Sequence, residues 1–126
     1  MVELKWKTFS QPLPDKEYVM LVSRLPLKHY WDIPGFFRHT GRIRNQLSES
    51  TGLIGYSLRL SLLRKTGWTL SVWENEQSLS DFVRKNPHSG TMTELRNSMK
   101  QTKFVTQKIA GSSVPPRWPE ALECLG

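Results

Sequence analysis

Two alternating stretches flank one short turn near the middle of the chain, and they constrain the fold more than any other feature. Over 53–63, Ile54, Tyr56, Leu58, Leu60 and Leu62 fall on one face, while Gly55, Ser57, Arg59 and Ser61 fall on the other. Period two is the period of a strand with unlike faces. Arg64, Lys65, Thr66 and Gly67 then make a turn. After it Trp68, Leu70 and Val72 alternate with Thr69, Ser71 and Trp73. Alternating runs around a glycine-containing turn predict a β-hairpin.

The remaining segments arrange themselves around this hairpin. Residues 18–26 are rich in apolar and β-branched residues and end at Pro26, which reads as a buried strand. Residues 1–17 read as a lead-in arm, with a short edge strand over 4–9. Ile33, Phe36, Phe37, Ile43 and Leu47 recur at helical spacing, with Asp32 placed to cap the helix, Pro34 in its first turn and Gly52 beyond its end. A short helix over 78–85 turns Leu79, Phe82 and Val83 inward. Asn86 and Pro87 are suited to open a second helical stretch over 86–100, striped by His88, Met92, Leu95 and Met99. Lys103–Ala110 reads as a last strand, with Val105 and Ile109 on one face. The order β-α-β-β-α-β predicts an α+β, ferredoxin-like sandwich, one antiparallel sheet with both helices on one face. We read residues 1–126 as a single domain with its core over 18–110 and a proline-rich tail over 111–126. Trp118 is too apolar to be left in water, so the tail is expected to dock.

The back of such a sheet would carry Ser57, Arg59, Ser61, Thr69, Ser71 and Trp73. Two copies packing these faces together would bury Trp73, so a homodimer is expected. The alternative is a solvated face with one exposed tryptophan.

Composition narrows the function classes. The 126 residues carry 18 Lys+Arg against 11 Asp+Glu, a net charge of +7, which permits anionic partners without requiring them. No apolar run approaches the ~18 residues of a membrane span, and the N-terminal residues lack the apolar stretch of a secretory signal, so no membrane partner is expected. The one cysteine, Cys124, excludes an internal disulfide framework, and a cytoplasmic location is expected. His29, His39 and His88 lack metal-ligand spacing, and neither a phosphate-cradling glycine loop nor a nucleophile elbow occurs, so neither metal nor cofactor is expected. Lys65 to Trp68 faintly echo an RNA-recognition strand, but Trp73 is the one aromatic assigned to the sheet back, where such domains stack several bases. A nucleic-acid partner is therefore not expected.

Residues 67–82 pair an aliphatic residue with a tryptophan at a strand end (Val72, Trp73), then an acidic turn, then a helix bearing an aromatic, Phe82. This pattern resembles the antibiotic biosynthesis monooxygenase superfamily of dimeric α/β barrels, and 18–110 fits its element order. Pro87 followed by His88 is similar to an uncharacterised branch of it. The resemblance implies a small-molecule pocket between helices and sheet, lined by Ser23, Phe36 or Phe37, Tyr56, Trp68, Phe82, His88 and Met92. It also implies a barrel seam holding Arg59, Ser71 and Trp73. Heme-degrading members place an Asn, a Trp and a His where this chain has Ser23, Phe82 and Met92, which argues against heme degradation. Two functions follow as expectations. One is a cofactor-independent monooxygenase acting on a small aromatic molecule, with His88 as base and Ser23 or Tyr56 holding the substrate oxygen. The other is a non-catalytic small-molecule binder or structural homodimer. Most residues carry a plainer reading beside the functional one. His88 is either that base or a buried histidine satisfying a helix end, Tyr56 and Trp68 either stack a ligand or fill the core, and Arg59 either pairs with a carboxylate across a dimer or binds an anion.

Overall fold

The computed structural model describes residues 2–85 and 98–125. Strands β1 (Val2–Thr8), β2 (Glu17–Pro26), β3 (Leu53–Ser61), β4 (Thr66–Trp73) and β5 (Lys103–Ala110) form one sheet in the order β1-β3-β4-β2-β5. All four pairings are antiparallel. Omitting β1, the order is that of a ferredoxin-like sheet, and β1 extends it as the edge strand expected from the sequence. Helices α1 (Ile33–Glu49) and α2 (Glu76–Arg84) connect the strands, and a short α3 (Trp118–Glu123) closes the chain. The stretch over 86–97, with His88 and Met92, lies outside the described residues.

Local chemistry sets the boundaries of these elements. Asn75 caps α2, its side chain accepting from the Ser78 backbone N–H at 2.8 Å. Asp32 does not cap α1 as expected. Its carboxylate instead accepts from the His29 N–H at 3.1 Å, closing a 3-10 turn over Tyr30–Asp32 that feeds directly into α1. Gly52, at φ +84°, turns the chain from α1 into β3 in the left-handed region that glycine occupies without strain.

The β2–β4 register runs from Val19 opposite Trp73 to Pro26 opposite Thr66. It puts Leu21, Ser23 and Leu25 on the front face with Trp73, Ser71 and Thr69. Tyr18, Met20 and Val22 lie on the back with Leu70 and Val72. Both helices pack on the front, where Leu47, Leu79 and Phe82 meet Val19, Leu53, Tyr56 and Trp73. At the other end of this face Phe36 packs with Leu25, Leu27, Leu60 and Met99. A Cβ on Gly67 would lie 2.7 Å from the Phe36 ring, so this glycine lets α1 approach β4 closely.

The sequence-based face assignment is therefore corrected in the hairpin. Trp73, Ser71 and Thr69 face the helices rather than the back, and Trp73 is fully buried against Phe82, with ring centroids 5.0 Å apart. Trp68, Leu70 and Val72 face the back. In β3 a register shift between Leu53 and Gly55 places Leu53 on the front and Ile54 on the back. Beyond the shift Tyr56 and Leu58 face the helices as expected, and Ser57 and Arg59 face the back.

The expected dimeric α/β barrel is corrected as well. The sheet is open, with β1 and β5 as its edges. Its back is covered by the tail, as Trp118, Ala121 and Leu125 pack on Tyr18, Met20, Val22, Ile54, Leu70 and Val72. Trp118 Nε1 donates to Ser57 Oγ at 3.0 Å, and Ser57 Oγ in turn donates to the Leu4 carbonyl at 2.7 Å. Arg59 stacks over the Trp118 ring at 4.8 Å and pairs with Glu3. The tail thus joins β1, β3 and the back-face core. Trp118→Ala is expected to destabilise the fold by about 3 kcal/mol through lost packing and an orphaned Ser57 contact. Trp118→Phe should lose less, and urea denaturation of both variants measures the difference.

Candidate functional site

The front face is not uniformly filled. Large side chains stand at its two ends, Tyr56 and Trp73 with α2 at one and Leu25, Leu60 and Phe36 at the other. Between them β2 and β4 carry Ser23, Thr69 and Ser71, with Leu21 as the one large side chain. Small residues under a helix leave space, and a cavity of about 330 Å³ lies there between α1 and the sheet. That is near the lower limit for small-ligand sites.

The floor of this cavity sets polar groups among leucines. Ser23 and Thr69 face each other across strands and share a hydroxyl–hydroxyl hydrogen bond. One hydroxyl proton satisfies that contact, so the second can donate towards the cavity. Ser71 Oγ accepts from Trp73 Nε1 at 2.9 Å, which leaves its own proton for a ligand oxygen. The walls carry aromatic rings from Phe36, Phe37, Phe82 and Phe104, of which Phe37 and Phe104 are exposed. Tyr56 is buried, and its hydroxyl accepts from Arg44 Nε at 3.3 Å. The guanidinium keeps further N–H donors for an anionic oxygen. Arg44 thus joins the cavity lining as a cation hydrogen-bonded to the Tyr56 hydroxyl. The carboxylate at the cavity edge, Glu3, is already engaged by Arg59. The polar groups of the site are on balance hydrogen-bond donors.

Of the residues predicted for a small-molecule site, the structure gathers Ser23, Phe37, Tyr56 and Phe82 around this cavity. Trp68 borders it too, although its register position and packing place it with the back-face cluster. His88 and Met92 lie outside the described residues. The three residues assigned to a subunit seam do not share a face. Ser71 lines the cavity, Trp73 is buried beneath α2, and Arg59 stacks on Trp118 at the back while reaching the cavity edge beside Glu3.

Sequence reasoning missed His39, which is buried in the cavity wall. Its signal was present, since it falls three residues after Phe36 and four before Ile43, on the inward stripe of α1. Arg44 shares the polar side of α1 with Arg38 and Arg42, yet it reaches Tyr56. Among the described residues, no group of three or more His, Cys, Asp or Glu could hold a metal ion. Among them, too, no helix is long and apolar enough to cross a membrane.

No protein-family model matches the chain, and no curated protein matches it. Solved structures do. A conserved protein from Methanosarcina mazei superposes with a TM-score of 0.65 at 17% identity, over 71% of this chain and 90% of that one. SnoaB, a cofactor-independent oxygenase from Streptomyces nogalater, superposes with a TM-score of 0.63 at 14% identity, over 78% of this chain and 97% of that one. A candidate monooxygenase from Fusobacterium nucleatum gives 0.69 at 10% identity over 83% of this chain, which spans 50% of that longer chain. A further similar structure is described as an antibiotic biosynthesis monooxygenase, and another, from Nitrosomonas europaea, as a candidate one. The chain shares the fold of antibiotic-biosynthesis-monooxygenase-like proteins.

The Ser23–Thr69 pair makes an energetic prediction. Ser23→Ala alone should cost about 1 kcal/mol, because Thr69 loses its partner under α1. Adding Thr69→Val should recover part of that loss, since no half of the pair is then left behind. A double-mutant cycle in chemical denaturation reads the coupling.

Proposed function

We propose that the chain binds a small planar aromatic molecule bearing an acidic oxygen in the cavity under α1, and oxidises it with dioxygen. The observation that carries this reading is the cavity itself, with aromatic walls, a hydroxyl floor at Ser23, Thr69 and Ser71, and Arg44 beside Tyr56. The fold shared with a cofactor-independent oxygenase supports the reaction class. In that chemistry the substrate loses a proton from carbon, and the carbanion reduces dioxygen. One oxygen atom enters the product as a carbonyl, and the other leaves as water with the two hydrogens of the oxidised CH₂ group.

In this reading the chain supplies three things. The apolar walls exclude water from the reacting carbon. Tyr56 and Arg44 hold the substrate oxygen and favour its anionic form, which lowers the cost of forming the carbanion. A histidine accepts the proton, with His39 placed in the wall and His88 the residue proposed from sequence. A homodimer belongs to the proposal, formed through a surface other than the tail-covered sheet back. Native mass spectrometry giving twice 14.6 kDa supports it, and a monomer removes it.

Calorimetric titration with hydroxynaphthalenes and hydroxyanthrones, followed by oxygen-electrode assays on those that bind, tests the main reading. Tyr56→Phe should weaken binding about tenfold through one lost hydrogen bond to a charged oxygen. Thr40→Trp, which places an indole in the cavity, should abolish it. Binding without oxygen uptake removes the enzyme and leaves a small-molecule binder. Turnover that survives both His39→Gln and His88→Gln removes the assigned base. Binding unaffected by Thr40→Trp moves the ligand elsewhere.

A further inference from the structure

At the end of the sheet where β2 finishes and β4 begins, two loops present apolar side chains to solvent. Leu63 is 83% exposed, Leu62 45%, Trp31 75% and Tyr30 56%. They form one surface. The Tyr30 hydroxyl donates to the Leu63 carbonyl at 2.9 Å, and Trp31 stacks on His29 with centroids 4.1 Å apart.

The hairpin tip is firmly built. Lys65 sits at φ 53°, in the left-handed region, which a lysine adopts only under constraint. Its carbonyl accepts from the Leu27 N–H at 2.7 Å, and the Arg64 N–H donates to Ser61 Oγ at 3.1 Å. A closed turn therefore holds the two leucines outward.

Cations ring this apolar tip. Lys65 Nζ lies 4.9 Å over the Tyr30 ring and donates to the Lys28 carbonyl, while Lys28 and Arg64 are themselves exposed. Lys100 joins them, its N–H donating to the Pro26 carbonyl at 2.9 Å. Among the described residues, the nearby acids are engaged, Asp32 with the His29 N–H and Glu3 with Arg59.

We infer that this end of the molecule docks on the surface of an anionic lipid bilayer. Leu62 and Leu63 enter the acyl boundary, Trp31 and Tyr30 sit at headgroup depth, and Lys28, Arg64, Lys65 and Lys100 meet the lipid phosphates. The chemistry fits a bilayer better than a protein partner. Protruding leucines ringed by lysine and arginine match an apolar layer beneath a negative one, and tryptophan and tyrosine suit the boundary between them. A stable protein interface needs a broad complementary patch. Surface docking requires no spanning helix, so it stands beside the sequence argument against a membrane span. It is also independent of what the cavity binds.

Co-sedimentation of the full chain with vesicles tests the inference. Vesicles of phosphatidylcholine and phosphatidylglycerol should bind it, and phosphatidylcholine alone should bind it at least tenfold less. Raising the salt should release it. Leu63→Glu should reduce binding more than tenfold, and Lys65→Glu about fivefold or more. Lys108→Glu changes net charge equally at the opposite end of the sheet and should do markedly less. Circular dichroism and thermal melts of the variants confirm that they are folded. Absence of binding to anionic vesicles overturns the inference. So does an equal loss with Lys108→Glu, which would mean attraction by the overall +7 charge. A change of oligomeric mass with Leu63→Glu in the absence of lipid overturns it too, giving the patch to a second copy of the chain.

Discussion

The pairing of β2 with β4 is the constraint on which the rest of this structure depends. These strands form the centre of the sheet, and their register decides which side chains meet the helices and which meet the tail. A slip by one residue would exchange the faces, burying Arg24 under α1 and turning Ser23 to the back. With the observed register, the front receives Trp73 at one end and Leu25 at the other, and Leu21 with three hydroxyl side chains between them. The cavity is thus a product of strand register as much as of α1.

That central gap runs against ordinary core economy. Interiors are close-packed, and an unfilled space forfeits dispersion contacts. Its floor of serine and threonine would gain nothing from dry apolar neighbours, since buried hydroxyls need partners. Ser23 and Thr69 satisfy each other, and Ser71 satisfies Trp73, so the strands stay intact while hydroxyl protons remain for something else. A site that holds polar groups ready without unfolding its own floor is well arranged for an oxygen-bearing guest.

The element order and the hairpin were legible in the sequence because period two and period 3.6 are separately visible there. The face of β4 was not. Trp68, Leu70 and Val72 look like the inward side, and in a sheet with one solvated face they would be. Here both faces are covered, so apolar residues occur on each, and Trp73 belongs to the helix side with serine and threonine neighbours. The shift at Leu53 and Gly55 is a backbone event with little residue signature, which is why Ile54 seemed to belong with Tyr56. Of the expected site residues, Ser23, Phe36, Phe37, Tyr56 and Phe82 stand around one cavity, and Trp68 borders it. Arg44 escaped notice because helix periodicity places it beside solvated arginines, while its long side chain bends back to a buried phenol. Docking of the tail was legible from Trp118 alone, but its destination was not, because no pattern in 111–126 names the surface it covers.

The tail contact also bears on how the chain is made. Trp118 and Ser57, which it bonds, are 61 residues apart in sequence. At ordinary rates of synthesis that separation is on the order of ten seconds. From the addition of Trp73 until the end of that interval the backs of β2, β3 and β4 have been made but their cover has not. A nascent sheet with a bare apolar back is the kind of intermediate that chaperones hold and that aggregates when they do not. The tail helix therefore acts after the sheet it covers, sealing a surface that β2, β3 and β4 cannot seal for themselves.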